Sequence, residues 1–209
     1  LFYNLDKNLN FDYFEDSNLT LKIQKTSNDT YLRAHSIESE IIQNTNTLEN
    51  SINLELYSED LSIDANITAY ENLDRISSDR YEFIPQFNLS KKLENKTKLN
   101  GDFVFNTKNL FKNYDTNVFE TININDLTFN SYPKITKKGF YNNYQFIIKN
   151  ANTDAENSEN YKNFESHYLS GLLQLNSSLP LVKNNTDYQS ILSPKIALKI
   201  SPDFTKNKK

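Results

Sequence analysis

The chain has 209 residues, a formal net charge of −4, 24% charged residues and 37% hydrophobic residues. The acidic balance argues against a nucleic-acid partner that binds a basic patch. Cysteine is absent, which excludes disulfides, thiol catalysis and cysteine-ligated zinc within the chain. No run reaches the ~18–20 apolar residues that a membrane-spanning helix needs. Asparagine is the commonest residue, and together with many Lys and Ile it fits an AT-rich genome, so we draw no chemistry from it.

Alternation of apolar and polar residues predicts the first strands. Successive side chains of a strand point to opposite faces, so a period of two marks a sheet with two unlike faces. The first clear runs are residues 19–23, 52–56 and 61–69, and Ser58-Glu59-Asp60 between the last two suits a hairpin turn. The weak helical pattern of residues 29–42 has no clean apolar stripe, so we expect a loop there with at most a helical turn.

The second half of the chain repeats the alternation. Val118, Ile122 and Ile124 share one phase, with Glu120 as the exception. Leu127 and Phe129 take the other phase. This slip near Asn125-Asp126 predicts a bulge or a crossing from one environment to another. The other alternating runs are residues 103–105, 144–148, 169–175 and 196–200.

The segments total about ten, and with their flanks most reach the roughly 8–12 residues of a tilted membrane strand rather than the ~5–6 of a globular one. Polar stretches between them predict loops, the clearest being residues 108–117, 133–139, 150–163 and 183–190. We therefore expect an all-β, antiparallel meander.

Alternation leaves open what the apolar face meets. A soluble β-sandwich buries it against a second layer, whereas a membrane barrel turns it toward lipid around a polar lumen. Polar residues through the middle of the strands favour the barrel, as do aromatic residues near strand ends such as Tyr57, Tyr70 and Tyr81. Ordinary packing also accounts for the aromatics, and three glycines with no tryptophan count against the barrel.

Short segments stand in a characteristic order along the chain. Residues 27–33 read SNDTYLR and residues 79–85 read DRYEFIP; the later segments are NDLTFNS (125–131), GFYNN (139–143), SSLPLVK (177–183) and LSPKIALKISP (192–202). In this order they resemble the LPS-assembly outer-membrane protein family, LptD (also called OstA or Imp), and most of all its alphaproteobacterial members. Each segment is short, so the resemblance depends on their joint order over about residues 27–202.

The resemblance implies a fold and a function. The family forms a large transmembrane β-barrel, of about 26 strands, in the outer membrane of Gram-negative cells. It delivers lipopolysaccharide to the outer leaflet. Residues 1–209 would be part of the C-terminal barrel domain, an open curved sheet and an internal fragment, without the periplasmic jellyroll domain and with no counterpart of the family's disulfides. We expect no enzymatic activity.

The resemblance also implies partners. These are lipopolysaccharide, membrane lipid, an LptE-like lipoprotein that plugs the lumen, and a periplasmic lipopolysaccharide-bridge protein that would act through the missing domain. Polar residues that face the lumen would contact the plug or the sugars of the lipid. The candidates for this role are Asn53, Glu55, Asp64, Asn66 and Asn123.

Other chemistry has little support in the sequence. The carboxylate pairs Glu38 with Glu40 and Glu59 with Asp60 lack a fixed scaffold and a nearby nucleophile. His35 and His167 lie far apart, and residues 152–160 lack the ligand spacing of a calcium loop. We therefore predict no catalytic, cofactor or metal site.

Two alternatives remain open. A soluble or secreted β-sheet binding module of the adhesin type predicts a monomer that folds cooperatively in buffer. An enzyme predicts a pocket that joins His35 or His167 to carboxylates.

Overall fold

The computed structural model describes residues 1–35, 44–114, 117–186 and 188–202. Its regular structure is almost entirely β, which confirms the all-β expectation. The strands are β1 (Phe2–Asn8), β2 (Asp16–Gln24), β3 (Thr47–Tyr57), β4 (Leu61–Asn72), β5 (Tyr81–Leu93), β6 (Gly101–Tyr114), β7 (Val118–Ser131), β8 (Lys134–Ile135), β9 (Tyr141–Glu156), β10 (Ser166–Ser178), β11 (Leu181–Asn184), β12 (Gln189–Leu192) and β13 (Lys195–Ile200). The helix α1 (Tyr31–His35) and a 3-10 turn (Ser78–Arg80) accompany them. No helix in the described ranges is long and apolar enough to cross a bilayer.

The main sheet is an antiparallel meander. Its strand order is β1-β2-β3-β4-β5-β6-β7-β9-β10-β13, and β8 adds to β9. The hairpin β11-β12 forms a separate two-stranded sheet, so β13 returns to pair with β10. The strands β3 to β7, β9 and β10 have 11 to 16 residues, well above the ~5–6 of an average globular strand.

The chain divides into two compact units. Unit 1 comprises residues 1–91, 106–125 and 151–167, and unit 2 comprises residues 92–105, 126–150 and 168–209. Strand β7 is continuous through the predicted phase slip, and the division between the units falls there, between Asn125 and Asp126.

Unit 1 has two chemically distinct faces, which the strand register defines. Leu54 of β3 lies opposite Leu19 of β2 and opposite Ala65 of β4, and Ala65 lies opposite Phe87 of β5. Asn53, the residue before Leu54 in β3, lies opposite Thr20 of β2 and Asn66 of β4, so its neighbours across the strands are polar. We call the first side the apolar face (Leu19, Leu21, Ile52, Leu54, Leu56, Ile63, Ala65, Ile67, Ala69, Pro85, Phe87, Leu89) and the second the polar face (Asn18, Thr20, Asn53, Glu55, Asp64, Asn66, Thr68, Gln86, Asn88).

The apolar face is open to its surroundings. Ile52 and Ile67 are 43% and 47% exposed, and Phe83 and Phe87 are also exposed. Buried apolar residues instead collect in a small cluster of Leu32 from α1, Leu48 from β3 and Leu73. Unit 1 therefore leaves its main apolar surface uncovered by the residues described.

Unit 2 contains a cluster of aromatic rings around a glycine. Phe129 of β7 contacts the rings of Phe103 and Tyr144, at centroid distances of 4.7 and 5.6 Å. A side chain at Gly101 would meet the Phe129 ring at 2.6 Å and Ser131 Cα at 2.8 Å. The absence of a side chain at Gly101 is what lets the Phe129 ring lie over the backbone there.

Three loop predictions need correction. Strand β6 runs to Tyr114, so most of the predicted loop 108–117 is strand, and β9 continues to Glu156 inside the predicted loop 150–163. Residues 183–190 belong largely to the β11-β12 hairpin. The three differences have one cause: Asn and Lys are common in loops, but an exposed sheet face accepts them as well. The expected helical turn in 29–42 is α1, and residues 36–43 lie outside the described ranges.

Candidate functional site

Four of the five predicted lumen candidates lie together on the polar face. Asn53 is opposite Asn66, and Glu55 is opposite Asp64. Asn53 Nδ2 donates to Glu55 Oε1 at 2.8 Å, and Asn88 Nδ2 donates to Asp64 Oδ1 at 3.0 Å. The result is a patch of amides and carboxylates in the middle of β3 and β4, able to both donate and accept hydrogen bonds.

The fifth candidate, Asn123, lies elsewhere, in a row of amides on β6, β7 and β9. Its amide donates to Asn109 Oδ1, and its own Oδ1 accepts from Asn125 at 2.5 Å and from Asn152 at 3.0 Å. Asn152 Oδ1 lies 2.9 Å from His167 Nδ1 on β10. We call Asn109, Asn123, Asn125, Asn152 and His167 the asparagine row.

A groove of about 460 Å³ lies on the apolar face of unit 1. Ala65 lies in the groove lining between the larger side chains of Leu54 and Phe87 on the neighbouring strands. Asn109 belongs both to the groove wall and to the asparagine row. The groove is lined by the apolar-face residues Ile52, Leu54, Ala65, Ile67, Pro85 and Phe87, by Asn66 and Gln86, which alternate with them along β4 and β5 and whose register places them on the polar face, and by Asn109, Leu110, Phe111, Thr121 and Ile122 of β6 and β7.

An ion-pair network joins two segments that are distant in sequence. Arg80 Nη1 and Nη2 donate to the two carboxylate oxygens of Asp29 at 2.8 and 2.6 Å, and Arg80 Nε donates to Glu71 Oε1 at 2.8 Å. Arginine is suited to this geometry because its planar fork matches a carboxylate. Beside it, Arg33 pairs with Asp74 at 2.8 Å.

The network shifts the protonation equilibria of its members. Hydrogen bonds from Arg80 hold the pKa of the Asp29 carboxyl below its ordinary value of 3.8. The hydrogen bonds to Asp29 and then to Glu71 raise the pKa of Arg80 further above neutrality. Both groups are therefore charged at neutral pH, and they fix the start of α1 beside the 3-10 turn.

A buried carboxylate anchors the connection between β9 and β10. Glu120 is 6% exposed, and its Oε1 accepts from Tyr114 at 2.8 Å and from Ser158 at 2.6 Å. Asn160 also donates to it, at 3.3 Å. Burial is tolerated because three donors replace the water that the carboxylate loses.

The structure does not bring the other candidates into a site. His35 contacts the Tyr31 ring, His167 lies 3.9 Å from the exposed Glu165, and Glu59 and Asp60 are exposed in a turn. Glu38 and Glu40 lie outside the described residues. No group of three His, Asp or Glu side chains among the described residues is placed to hold a metal ion.

Sequence reasoning missed the Arg80 network, the Glu120 anchor and the asparagine row. The signal for the first was present, since Asp29 and Arg80 each belong to a segment that carries the family resemblance. The comparisons with known proteins add no assignment, because no protein-family model and no curated protein matches the chain.

Proposed function

We propose that this chain is a section of the wall of an outer-membrane β-barrel of the lipopolysaccharide-assembly type. In this proposal the apolar face of unit 1 meets hydrocarbon and the polar face lines a water-filled interior. The observation that carries it is the open apolar face, with Ile52 and Ile67 nearly half exposed on long antiparallel strands. Soluble proteins rarely expose so continuous an apolar surface, whereas a membrane barrel requires one.

The polar face supports the same proposal. Glu55 and Asp64 lie directly opposite each other in the strand register. Like charges in this position destabilise a sheet unless water screens them, and a dry core would strongly disfavour them. A wet lumen tolerates the pair and gives it a use, because the same oxygens accept hydrogen bonds from sugars or from a plug protein.

The assignment to lipopolysaccharide assembly rests on the ordered sequence segments. The Arg80–Asp29 pair supports it, because it connects the segment at residues 27–33 with the segment at residues 79–85. In this function the partners are lipopolysaccharide, an LptE-like lipoprotein in the lumen, membrane lipid, and a periplasmic bridge protein that acts through a further domain.

The membrane part is tested by cysteine labelling, for which the cysteine-free chain is suited. We would prepare Ile52→Cys, Asn53→Cys, Asn66→Cys and Ile67→Cys, insert each full chain into phosphatidylcholine vesicles, and add a water-soluble maleimide. The expected result is strong labelling at the two polar-face positions and protection at the two apolar-face positions. Equal labelling of both pairs, or a chain that stays monomeric in buffer and does not float with vesicles, contradicts the proposal and favours the adhesin-type module.

The lipid part is tested by photo-crosslinking. A benzophenone side chain placed at Asn53 in vesicles that contain lipopolysaccharide is expected to give a lipopolysaccharide adduct, with Thr20, its neighbour across the strands on the polar face, as a second position. A benzophenone at Ile52 serves as the matched control and is expected to crosslink phospholipid instead. A phospholipid adduct at Ile52 with no lipid adduct at Asn53 or Thr20 would remove lipopolysaccharide from the proposal and leave the barrel, whereas phospholipid adducts at all three positions would contradict the barrel as well.

A further inference from the structure

The groove on the apolar face has the dimensions and lining of a site for one alkyl chain. Its volume of about 460 Å³ falls within the ~300–1,000 Å³ of small-ligand sites. The depression exists because Ala65 lies between Leu54 and Phe87, so a small side chain separates two large ones. An alkyl chain laid there would restore the contacts that the small side chain omits.

Beside this apolar groove stand uncharged hydrogen-bonding groups. Asn109 and Thr121 line the groove, and from Asn109 the asparagine row continues to Asn123 and Asn152. In the bonds described above, Asn123 uses one of its two amide hydrogens, since its single donated bond goes to Asn109. Asn109 Nδ2 already donates to Phe87 O and Thr107 Oγ1, and Asn123 Oδ1 already accepts two bonds. A ligand would therefore accept from the second N–H of Asn123 and donate to the second lone pair of Asn109 Oδ1.

We propose that the groove and the asparagine row together bind one amphipathic lipid that carries a neutral, hydroxyl-rich headgroup such as a sugar. The alkyl chain lies over Ala65 and the headgroup lies against Asn109 and Asn123. The inference deepens the proposed function, on which it rests, because it assigns a specific lipid class to the face that meets hydrocarbon.

The lack of Arg and Lys around the groove favours a neutral headgroup over a phosphate headgroup. Phosphate headgroups are bound by Arg and Lys, and neither the described lining of the groove nor the asparagine row contains one. Sugar hydroxyls both donate and accept, as the amides do, so an uncharged row complements an uncharged headgroup. A polar group placed there without such a partner loses hydrogen bonds to water and gains none.

Two probes with the same alkyl chain separate the two halves of the proposal. The full chain would be held in an amphipathic polymer, and n-dodecyl-β-D-maltoside or n-dodecylphosphocholine would be added below its critical micelle concentration. Native mass spectrometry counts the bound molecules. We expect one retained maltoside, bound about tenfold more tightly than the phosphocholine.

Variants test the location of the site. Ala65→Phe fills the groove and is expected to weaken maltoside binding about tenfold. Ala69→Phe, four residues further along β4 on the same face but outside the groove lining, should leave the binding unchanged. Ala65→Leu is a smaller filling change in case the larger variant does not fold, which circular dichroism checks. Asn123→Leu is expected to abolish the preference for maltoside over phosphocholine.

The binding measurements test the lipid site, whereas the cysteine-labelling experiment tests the membrane barrel, so failure of one can be distinguished from failure of the other. Equal maltoside binding by the two alanine variants, or an unchanged preference in Asn123→Leu, overturns this inference while the barrel proposal stands if the labelling pattern holds. Retention of one maltoside that depends on Ala65 and Asn123 supports the inference. If the labelling pattern fails at the same time, the barrel proposal falls, and with it the assignment of this lipid to a face that meets hydrocarbon.

Discussion

Arg80 and Asp29 form a two-pronged ion pair, with hydrogen bonds of 2.8 and 2.6 Å, across 51 positions of sequence. Arg80 also holds Glu71 of β4, so one side chain connects the loop before α1 to the sheet. The buried Leu32, which follows in α1, packs with Leu48 and Leu73. A charged contact and an apolar contact thus fix the same short helix.

Replacement of Arg80 by Gln is expected to loosen α1. Glutamine cannot supply the paired donors that bind both Asp29 oxygens, so hydrogen exchange at the amides of Tyr31–His35 should speed up roughly three- to tenfold. The matched control is Arg33→Gln, which breaks the half-exposed pair with Asp74 but leaves the hydrogen bonds from Arg80 to Asp29 in place, and it should change exchange little. Equal effects of the two variants would show that Leu32 packing alone holds the helix.

Acidification is expected to loosen the same helix. The pKa of Asp29 is lower in the folded chain than its ordinary value of 3.8, because Arg80 stabilises the carboxylate. A depressed carboxyl pKa stabilises the fold fully above the ordinary value, and this stabilisation is lost as the pH falls through the lower folded pKa. Protection of Tyr31–His35 should therefore be constant from pH 7 to about pH 5 and decrease below about pH 4. In Arg80→Gln this acid-dependent decrease should be smaller, and an identical decrease in both proteins would argue against Asp29 as its source.

The sheet could be predicted from the sequence because alternation is a local signal. The runs at residues 19–23, 52–56 and 61–69 all lie in strands, and the turn at Ser58-Glu59-Asp60 joins β3 to β4. Strand order and register decide which residues become neighbours across the sheet. Neither can be derived from alternation, because alternation describes one strand at a time. The polar residues of β3 and β4 share a face because the register pairs Asn53 with Asn66 and Glu55 with Asp64.

The parts that sequence reasoning missed depend on cross-strand contact. Asn109 and Asn152 lay in predicted loops, but they belong to β6 and β9, where Asn123 between them completes a row of amide hydrogen bonds. Glu120 interrupted an apolar phase and stood as an exception, whereas its partners Ser158 and Asn160 come from a connection 38 to 40 positions away. Because asparagine is abundant along the whole chain, its frequency alone does not distinguish the residues of the asparagine row from the rest.

Gly101→Ala is expected to destabilise unit 2. The added methyl would overlap the Phe129 ring and the backbone of Asn130 and Ser131, and forced overpacking typically costs ~1–3 kcal/mol. Gly171→Ala is the matched control, since its methyl would meet only Ile147 O at 3.7 Å, an ordinary contact. Urea unfolding of both variants in the same detergent gives the comparison, and similar free energies of unfolding would mean that the Phe129 ring and the backbone of Asn130 and Ser131 shift without cost.

Glu120→Ala is expected to release the connection between β9 and β10. The change removes the carboxylate to which the half-buried Tyr114 and Ser158 hydroxyls donate, and each hydrogen bond lost costs ~0.5–1.5 kcal/mol. Hydrogen exchange of residues 157–163 should rise while that of β3 stays constant. Glu159→Gln, which changes an exposed neighbouring carboxylate, should leave both unchanged. If the connection exchanges equally fast in the parent chain and in Glu120→Ala, Glu120 does not anchor it.

A single arginine on either face of β2 should distinguish a membrane wall from a soluble sheet. Leu21 belongs to the apolar face and its neighbour Thr20 to the polar face. In phosphatidylcholine vesicles Leu21→Arg should cost about 2–4 kcal/mol if this position lies near the bilayer centre, and less toward the surface, whereas Thr20→Arg remains in water and should cost little. Urea unfolding from vesicles measures both. In a soluble sheet with an open apolar face the two arginines reach water equally well, so equal stabilities would contradict the membrane wall.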